Sequence, residues 1–574
     1  MTARAHHGLR FGGGALALLL LTASQIGAQS AERKFFPDDP IRVDHDNLSI
    51  EQPAEIEISG IYDVIENSFG YKPGDDIPRA MNVNTLGEVP DSSWFTNRIG
   101  LRQMSIAELV RGPARTGGPD LSAPLTVIAA KTAGISPGFT VRDSRGDVYF
   151  VKFDPQDYPN LSTSVDVIVS RFFHAMGYNV PENYIAYIDP DALQIEPGTE
   201  VVIAGDHREL MSQRHIDEIF AKVARLPDGR ARAIASLRLA GEAVGPFKFY
   251  GMRGDDPNDV FPHQHRRELR GYRVFCAWLN HDDSRSVNSL DVYVEEEDRS
   301  FVRHYLLDFA SALGAGSDAM RQVAPQNPRS GNEYLIEFVP AIKTGLTLGI
   351  WERPWMNVPY AYPEHAEIGR LEADFFDPQR WKAEYRNPAF ARMLPDDAFW
   401  AAKIVSRFSD EAIRALVGTG EYSDVAAEDF LAGLIIERRD KIVETFFRQV
   451  NPLDGFRVAG RELQFDNLGE DAGLAAVEAY EFEWFRFDNE TGDLVPTEGG
   501  ISSRSSIDIP AADTGTGQHA RSRAGTRGAP EDPHAHYMVR IRTRSSEEDR
   551  WLKAVDVYLR RGTQTMVVGI DREI

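Results

Sequence analysis

The sequence predicts an α+β chain, with a small antiparallel β region followed by a mostly helical region and a small C-terminal β-domain. Three observations carry this. Glycine-punctuated strand runs lie between Leu125 and Phe153, apolar residues recur at helical spacing in Val165 to Met176 and Leu269 to Leu279 with further helical runs at Ala401 to Leu416 and Val425 to Phe447, and two-residue alternation returns after Asn451. At 574 residues with 42% hydrophobic and 10% aromatic content, the chain is too long for one compact domain and has ample material for buried cores.

Residues 1–30 carry Arg4 and Arg10, then the apolar run Ala15 to Leu21, then Gly27-Ala28-Gln29-Ser30. They read as a Sec-type signal peptide cleaved near Ser30 or Ala31, so a periplasmic or secreted location is expected. The apolar run is too short to span a bilayer, and no later segment is long and apolar enough to do so. Residues 31–120 form a mixed, Pro/Gly-punctuated N-terminal segment with an amphipathic patch from Met104 to Val110.

Residues 121–250 open with Leu125 to Ala130, Phe139 to Asp143 and Val148 to Phe153, a three-strand meander whose connections hold Gly134, Gly138 and Gly146. Val165, Ile168, Val169, Phe172, Phe173 and Met176 then mark a helix that Gly177 stops. Further strands are expected at Asn183 to Ile188, Ile234 to Leu239 and Phe247 to Tyr250, with a helix at Ile216 to Ala224. In residues 251–450, Leu269, Tyr272, Cys276 and Leu279 share a helix face that ends in the polar loop His281 to Arg285. Strand runs Leu290 to Val294 and Phe301 to Leu307 follow, and the rest is read as mostly helical, including Ala401 to Leu416 and Val425 to Phe447. Residues 451–574 are β-rich, with Tyr480 to Phe487, Tyr537 to Thr543 and Ala554 to Leu559 as strands and 497–536 as a disordered insert.

With 63 Lys+Arg against 87 Asp+Glu, the net charge of −24 argues against a phosphate-tracking nucleic-acid binder or a polybasic membrane-surface protein. Small molecules or proteins are the expected partners. The single cysteine, Cys276, excludes an intrachain disulfide and sits among Phe275, Ala277 and Trp278 as a buried small hydrophobe.

Phosphoryl transfer from a nucleotide needs backbone near the phosphates, a lysine on them, oxygen ligands for a metal and an aspartate for the acceptor hydroxyl. Gly134 and Gly138 bracket a turn where backbone could approach anionic oxygens. Lys152 lies inside the apolar strand Tyr149-Phe-Val-Lys-Phe-Asp154 and needs a charged partner there, and Asp166 on the next helix could hold it. Asp283 and Asn288 stand five apart in His281-Asp-Asp-Ser-Arg-Ser-Val-Asn288, and Asp308 ends an apolar strand, where a divalent metal shared with Asn288 would satisfy it.

On Lys152, the Asp283-x-x-x-x-Asn288 spacing and Asp308-Phe309, the chain resembles the protein-kinase-like superfamily across roughly residues 120–450. The resemblance is to its atypical members: HipA-type kinases, phosphatidylinositol 3/4-kinase-like domains, and CotH-like or secretory-pathway kinases. It implies a two-lobed kinase-like fold, with residues 121–250 as the small β lobe and 251–450 as the helical lobe. It also implies Asp283 as catalytic aspartate, Asn288 and Asp308 as ligands of Mg²⁺ or Mn²⁺, Lys152 on the phosphates of ATP or another nucleotide, and Asp166 at the helix acid's place. The sequence departs from that pattern at Ala310, where the family has Gly, at Asp166, where it has Glu, and at Asp282, where it has Arg. The expected function is an exported phosphotransferase moving a phosphoryl or nucleotidyl group to a protein or small-molecule hydroxyl. The alternative is a catalytically inactive kinase-like binding module in the cell envelope.

A second cluster, Asp255-Asp-Pro-Asn-Asp259 with His263 and His265, has the residue types of a metal site. It lacks a third spaced ligand beside the two histidines and the regular spacing of a calcium loop, so the favoured reading is a loop that caps the following helix.

Overall fold

Polar turns between alternating apolar runs set the first sheet. The computed structural model describes residues 33–70, 76–130, 136–203, 207–317, 322–358, 367–511, 535–546 and 550–574. The leader-like residues 1–30, Gly134 and most of the expected insert, residues 512–534, lie outside them. The described chain is mixed, with ten α-helices and several sheets, and none of those helices is long and apolar enough to cross a membrane.

The N-terminal segment contains two short helices, α1 (Gly60–Ile65), continued by a π-turn over Glu66–Gly70, and α2 (Ile106–Arg111). A capping box between Ser105 and Glu108 starts α2, inside the expected amphipathic patch. Strands β1 (Leu125–Ala130), β2 (Gly138–Arg142) and β3 (Val148–Phe153) form the antiparallel meander. Gly146, at φ +88°, makes its second turn, and Asp143 Oδ1 accepts the N–H groups of Arg145 and Asp147 there. The 16-residue helix α3 (Leu161–Met176) follows, its start held by Asp154, whose Oδ1 accepts the N–H groups of Ser162 and Thr163.

Then come β4 (Asn183–Ile188), β5 (Leu193–Ile195), a ribbon of β6 (Glu200–Ile203) and β7 (His207–Leu210), helix α4 (Gln213–Phe220) and β8 (Ala231–Leu237). The six-stranded sheet runs β4-β8-β3-β2-β1-β5, with β5 parallel to β1. One face buries Phe139, Val141, Tyr149, Val151 and Phe153 against Ile216 and Phe220 of α4, while α3 packs on β3, β4 and β8. The short β9 (Glu242–Ala243) comes next, and the expected strand at Phe247 to Tyr250 is irregular. Phe247 and Phe249 are still buried, because their rings fill the core beside Trp94 and Tyr272 without a neighbouring strand to pair with.

Helix α5 (Arg267–Leu279) is buried along nearly its whole length and carries Trp278, which is fully enclosed. Hairpin β10 (Ser289–Glu296) and β11 (Arg299–Leu306) follows, flanked by β9. After the short pair β12 (Ala315–Ser317) and β13 (Val323–Pro325), the described chain to Leu394 is largely irregular, with one helix, α6 (Phe338–Leu346), and brief 3-10 turns. The expectation of a mostly helical stretch fails there. Helices α7 (Pro395–Ser406), α8 (Asp410–Gly418) and α9 (Val425–Phe447) complete this part. The single helix expected from Ala401 to Leu416 is two, because Ser409 caps a new start by accepting the Ala412 N–H. Around α5, α7 and α9 one core gathers Phe172, Phe275, Trp278, Trp400 and Ile435.

The C-terminal region begins with β14 (Leu453–Ala459) and β15 (Glu462–Asn467), then a single turn, α10 (Leu468–Asp471). Strands β16 (Val477–Phe487), β17 (Leu494–Ser502), β18 (Ser506–Asp508), β19 (His536–Ser545), β20 (Val555–Arg561) and β21 (Thr565–Arg572) follow. They form a three-stranded sheet, β14-β15-β18, and a five-stranded sheet, β17-β16-β19-β20-β21, over a shared core with Phe465, Trp484, Val539 and Leu559. Residues 497–508, expected to be disordered, thus contribute to both sheets. β17 has mostly exposed side chains, so its polarity reflects an outer strand and not a lack of structure.

Contacts at two places among those tying this region to the rest stand out. Phe35 packs its ring among Phe487, His536 and Tyr558, with Lys34 paired to Asp571 at 2.5 Å. Asp454 lies 2.9 Å from Lys403 of α7 and 3.2 Å from Arg572. Burial raises the Asp454 carboxyl, but Lys403 and Arg572 outweigh it and hold the group below its ordinary value. A depressed carboxylate stabilises the fold above its unfolded pKa, and that stability is lost as pH falls through the lower, folded value. Melting followed from pH 6 down to acid should therefore show Asp454→Asn less stable than wild type at pH 6, with the gap closing below about pH 4. A gap that persists unchanged in acid would count against this linkage.

Candidate active site

Alternation along β3 decides where Lys152 goes. Tyr149, Val151 and Phe153 enter the core beside α4, so Lys152 emerges on the opposite face, against α3. There its Nζ lies 2.9 Å from Asp308 Oδ1 and 3.6 Å from Asp166 Oδ2. Burial would lower the ammonium pKa, but the two carboxylates outweigh it and hold Lys152 above its ordinary value, firmly charged. Asp166 is buried on α3, and burial pushes its carboxyl up against the pull of Lys152. Its Oδ1 accepts from Asn183 Nδ2 at 3.2 Å and from the Phe309 N–H at 3.3 Å, joining β3, α3, β4 and the Asp308-Phe309 segment at one carboxylate. The Asp308 side chain is 48% exposed, and its backbone sits at φ +55°, a left-handed conformation in which a non-glycine residue is uncommon.

The loop after α5 is fixed from outside. Arg438 of α9 donates to the carbonyls of Trp278 (2.8 Å), Ala277 (2.6 Å) and Glu372 (2.6 Å), supplying donors to the last turn of α5. Burial lowers its guanidinium to about 9. Asn280, in the left-handed C-cap, accepts from Trp381 Nε1 at 2.9 Å and donates to Gln326 Oε1 at 2.6 Å. His281 then faces Phe173 and Phe309, its Nδ1 3.1 Å from the Ser311 carbonyl, and burial lowers its imidazole to about 4. Asp282 is buried, accepts from Gln326 Nε2 at 3.0 Å, and is pushed up to about 6 by burial.

Asp283 keeps 20% of its side chain exposed and is gripped by Arg285, whose Nη2 donates to Asp283 Oδ2 at 2.9 Å. Burial pushes the Asp283 carboxyl up to about 8, with Glu384, Asp282 and Asp308 adding to the rise and Arg285 opposing it. Asn288 Nδ2 donates to the Asp283 carbonyl at 2.7 Å, closing the loop on itself. Because β10 pairs with β11 from Ser289↔Leu306 onward, Asn288 and Asp308 flank the open end of one hairpin, and the Leu307 N–H donates to the Asn288 carbonyl at 2.9 Å.

The structure therefore links Lys152, Asp166 and Asp308 directly, and Asp283 with Asn288, with the hairpin end joining the two groups. Gly138 stands opposite Lys152 in the β2–β3 register, and a Cβ there would collide with the Val151 carbonyl. Close strand approach thus accounts for that glycine, and Gly134 lies outside the described residues. In the second cluster, Asp259 pairs with His263 (2.7 Å) and Arg266 (3.2 Å), Asp255 with Arg253 (3.1 Å), and His265 Nδ1 lies 2.7 Å from Arg270 Nη2. These groups are held by cations of the chain. Among the described residues no set of three or more His, Cys, Asp or Glu forms a metal cage.

Two other oxygen donors are the half-exposed Asp308 carboxylate, itself paired with Lys152, and the Asn288 side-chain carbonyl, whose amide nitrogen is engaged by the Asp283 carbonyl. Hard oxygens of this kind suit Mg²⁺ or Mn²⁺. Sequence reasoning missed Asn183, Arg285, Glu384 and Arg438. Only Arg285 left a local signal, two residues after Asp283. It also missed Asp63 of α1, buried where Asn67 Nδ2 (2.9 Å), Ser286 Oγ (3.2 Å) and the Tyr385 hydroxyl donate to it, so the N-terminal segment touches the Asp283–Asn288 loop.

No protein-family model matches the chain, and no curated protein matches it. Among solved structures it is similar to the Helicobacter pylori proinflammatory kinase CtkA, at 12% identity and a TM-score of 0.29, over 56% of this chain and 93% of that one.

Proposed function

We propose that this chain is a kinase-like phosphotransferase that moves a phosphoryl or nucleotidyl group from a nucleotide such as ATP to a hydroxyl of a protein or small molecule. The observation that carries this reading is the convergence of Lys152, Asp166 and Asp308 beside the loop of Asp283 and Asn288. Lys152, held charged, supplies a fixed cation for the donor phosphates, and Asp166 sets its position from α3. Asp308 and Asn288 are the residues that would hold Mg²⁺ or Mn²⁺. The bound ion would supply charge neutralisation at the phosphates. Asp283 in its ionised form accepts the proton as the acceptor O–H bond breaks and its oxygen attacks phosphorus in line; the opposite P–O bond breaks and nucleoside diphosphate leaves (pyrophosphate in nucleotidyl transfer), while Arg285 keeps the carboxylate aimed. With the leader-like residues 1–30, the site of action is proposed to be the periplasm or the exterior of the cell.

A second reading, an inactive kinase-like binding module, is favoured by the direct Lys152–Asp308 ion pair, in which each group occupies the other's proposed partner position, and by Ala310. Melting of the mature chain with ATP, GTP or ADP, each with Mg²⁺ or Mn²⁺, tests nucleotide binding. A nucleotide at one hundred times its Kd should stabilise the fold by about 2.7 kcal/mol, an effect lost in Lys152→Ala and Asp308→Ala. No metal-dependent rise with any nucleotide would rule out the phosphotransferase. A rise without turnover would select the binding module.

A further inference from the structure

A cleft of about 1100 Å³ opens between α2, the last turn of α3, the end of β8 and β11, and six arginines and three glutamates line it. That balance is the reverse of the whole chain's, which is −24. Two of the glutamates are neutralised in place, Glu108 by Arg102 at 2.7 Å and Glu296 by Arg303 at 2.7 Å. The third, Glu182, accepts from the N–H groups of Arg115 (2.9 Å) and Thr116 (3.2 Å) and from the Tyr184 hydroxyl (2.6 Å).

Four arginines remain. Arg98 is half-buried and donates to the carbonyls of His174 (2.8 Å) and Tyr178 (3.2 Å), which fix it without neutralising it. Arg111, Arg115 and Arg238 are exposed, and no side chain among the described residues forms an ion pair with them. The field is visible at His174, whose imidazole is lowered to about 3 by burial and then by Arg98, Arg115 and Arg111.

We propose that this cleft is a binding site for a small polyphosphate or phosphorylated anion, separate from the candidate active site. Planar guanidinium groups converging from several elements match phosphoryl oxygens in pairs, and a concave wall focuses their field. The cleft shares two elements with the candidate active site. His174 and Asp166 lie on α3, and β11, which carries Arg303 and Tyr305, leads into Asp308.

Calorimetric titration of the full chain with inorganic pyrophosphate tests the proposal. Saturable binding that weakens with added salt is expected, and at least about tenfold weaker binding in the Arg111→Ser/Arg115→Ser variant. Lys152→Ala should bind pyrophosphate as the wild type does. Arg238→Ser, whose side chain is exposed at the end of β8, supplies an independent variant if the double substitution melts early. Absence of saturable binding would overturn the proposal. So would a loss in Lys152→Ala without a loss in the arginine variants, which would place the anion at the active site. A phosphoserine peptide binding more than tenfold tighter than pyrophosphate and displacing it would overturn the small-anion assignment in favour of a protein partner.

Discussion

Asp283→Ala should lower phosphotransfer by about 10²–10⁴-fold, the range typical of losing a positioned acid or base, while leaving the nucleotide-dependent melting shift in place. The separation follows from geometry. Asp283 belongs to the loop gripped by Arg285 and Asn288, whereas Lys152 and Asp308 meet on the α3 side of the sheet. Asp308→Ala should show the reverse pattern, losing metal-dependent binding together with turnover. Asp282 supplies the control. It is buried and accepts from Gln326, so Asp282→Ala should lower melting temperature more than turnover per folded molecule. If Asp283→Ala turns over like wild type while Asp282→Ala does not, the base is Asp282 and the present assignment fails.

The largest effect on stability is expected at Asp397. Its carboxylate lies 3.0 Å from Arg267 Nε and 3.2 Å from Arg270 Nη1, all three side chains essentially out of solvent, and it also accepts the Leu394 N–H at 3.0 Å. Replacing a pair like this with hydrophobic residues can be neutral, but removing one partner leaves charge buried and uncompensated. Asp397→Ala should therefore cost about 3–5 kcal/mol. Arg267 retains Asp396 at 2.6 Å, so Asp397→Asn, which keeps the cap, should cost less. Denaturant unfolding of the region that buries Trp278 and Trp400 would measure it by fluorescence. A loss under about 1 kcal/mol would mean that the guanidiniums find other partners, the value typical of an exposed pair. Turnover per folded molecule should not change, because among the described residues the hydrogen bonds and ion pairs of Asp397 run to Arg267, Arg270 and Leu394 and not to the Asp283 loop.

What was legible in the sequence was what local chemistry controls. The meander appeared in alternating apolar residues with Gly146 at a turn, and α9 appeared at its observed bounds, with Asp424 capping its first turn. Lys152 was legible because a cation within an apolar strand demands a partner, and Asp166 because its helix follows at once. The supports of the Asp283 loop were not, since Arg438 reaches back 160 residues to Trp278, and Asn280 and Trp381 are 101 apart. Pairing over such distances leaves no periodic trace. Between Ala315 and Leu394 apolar residues such as Ile368, Leu371 and Trp381 are buried by irregular backbone, and a helical reading mistook hydrophobicity for helix. At Gly138 the sequence pointed to backbone near a ligand, and the structure adds a reason that no local pattern shows: the Val151 carbonyl of the neighbouring strand occupies the space a Cβ would take.

The seat of Phe35 among Phe487, His536 and Tyr558 has a consequence for assembly in time. The chain is synthesised from its N-terminus, and the aromatic pocket for residue 35 is built from residues made some 450 to 520 positions later. Phe35 and its immediate neighbours are therefore among the last residues to be immobilised. A nascent chain stalled before β19 would carry its leading end unanchored and open to a protease or a chaperone, and release of the final strands would act as the latch.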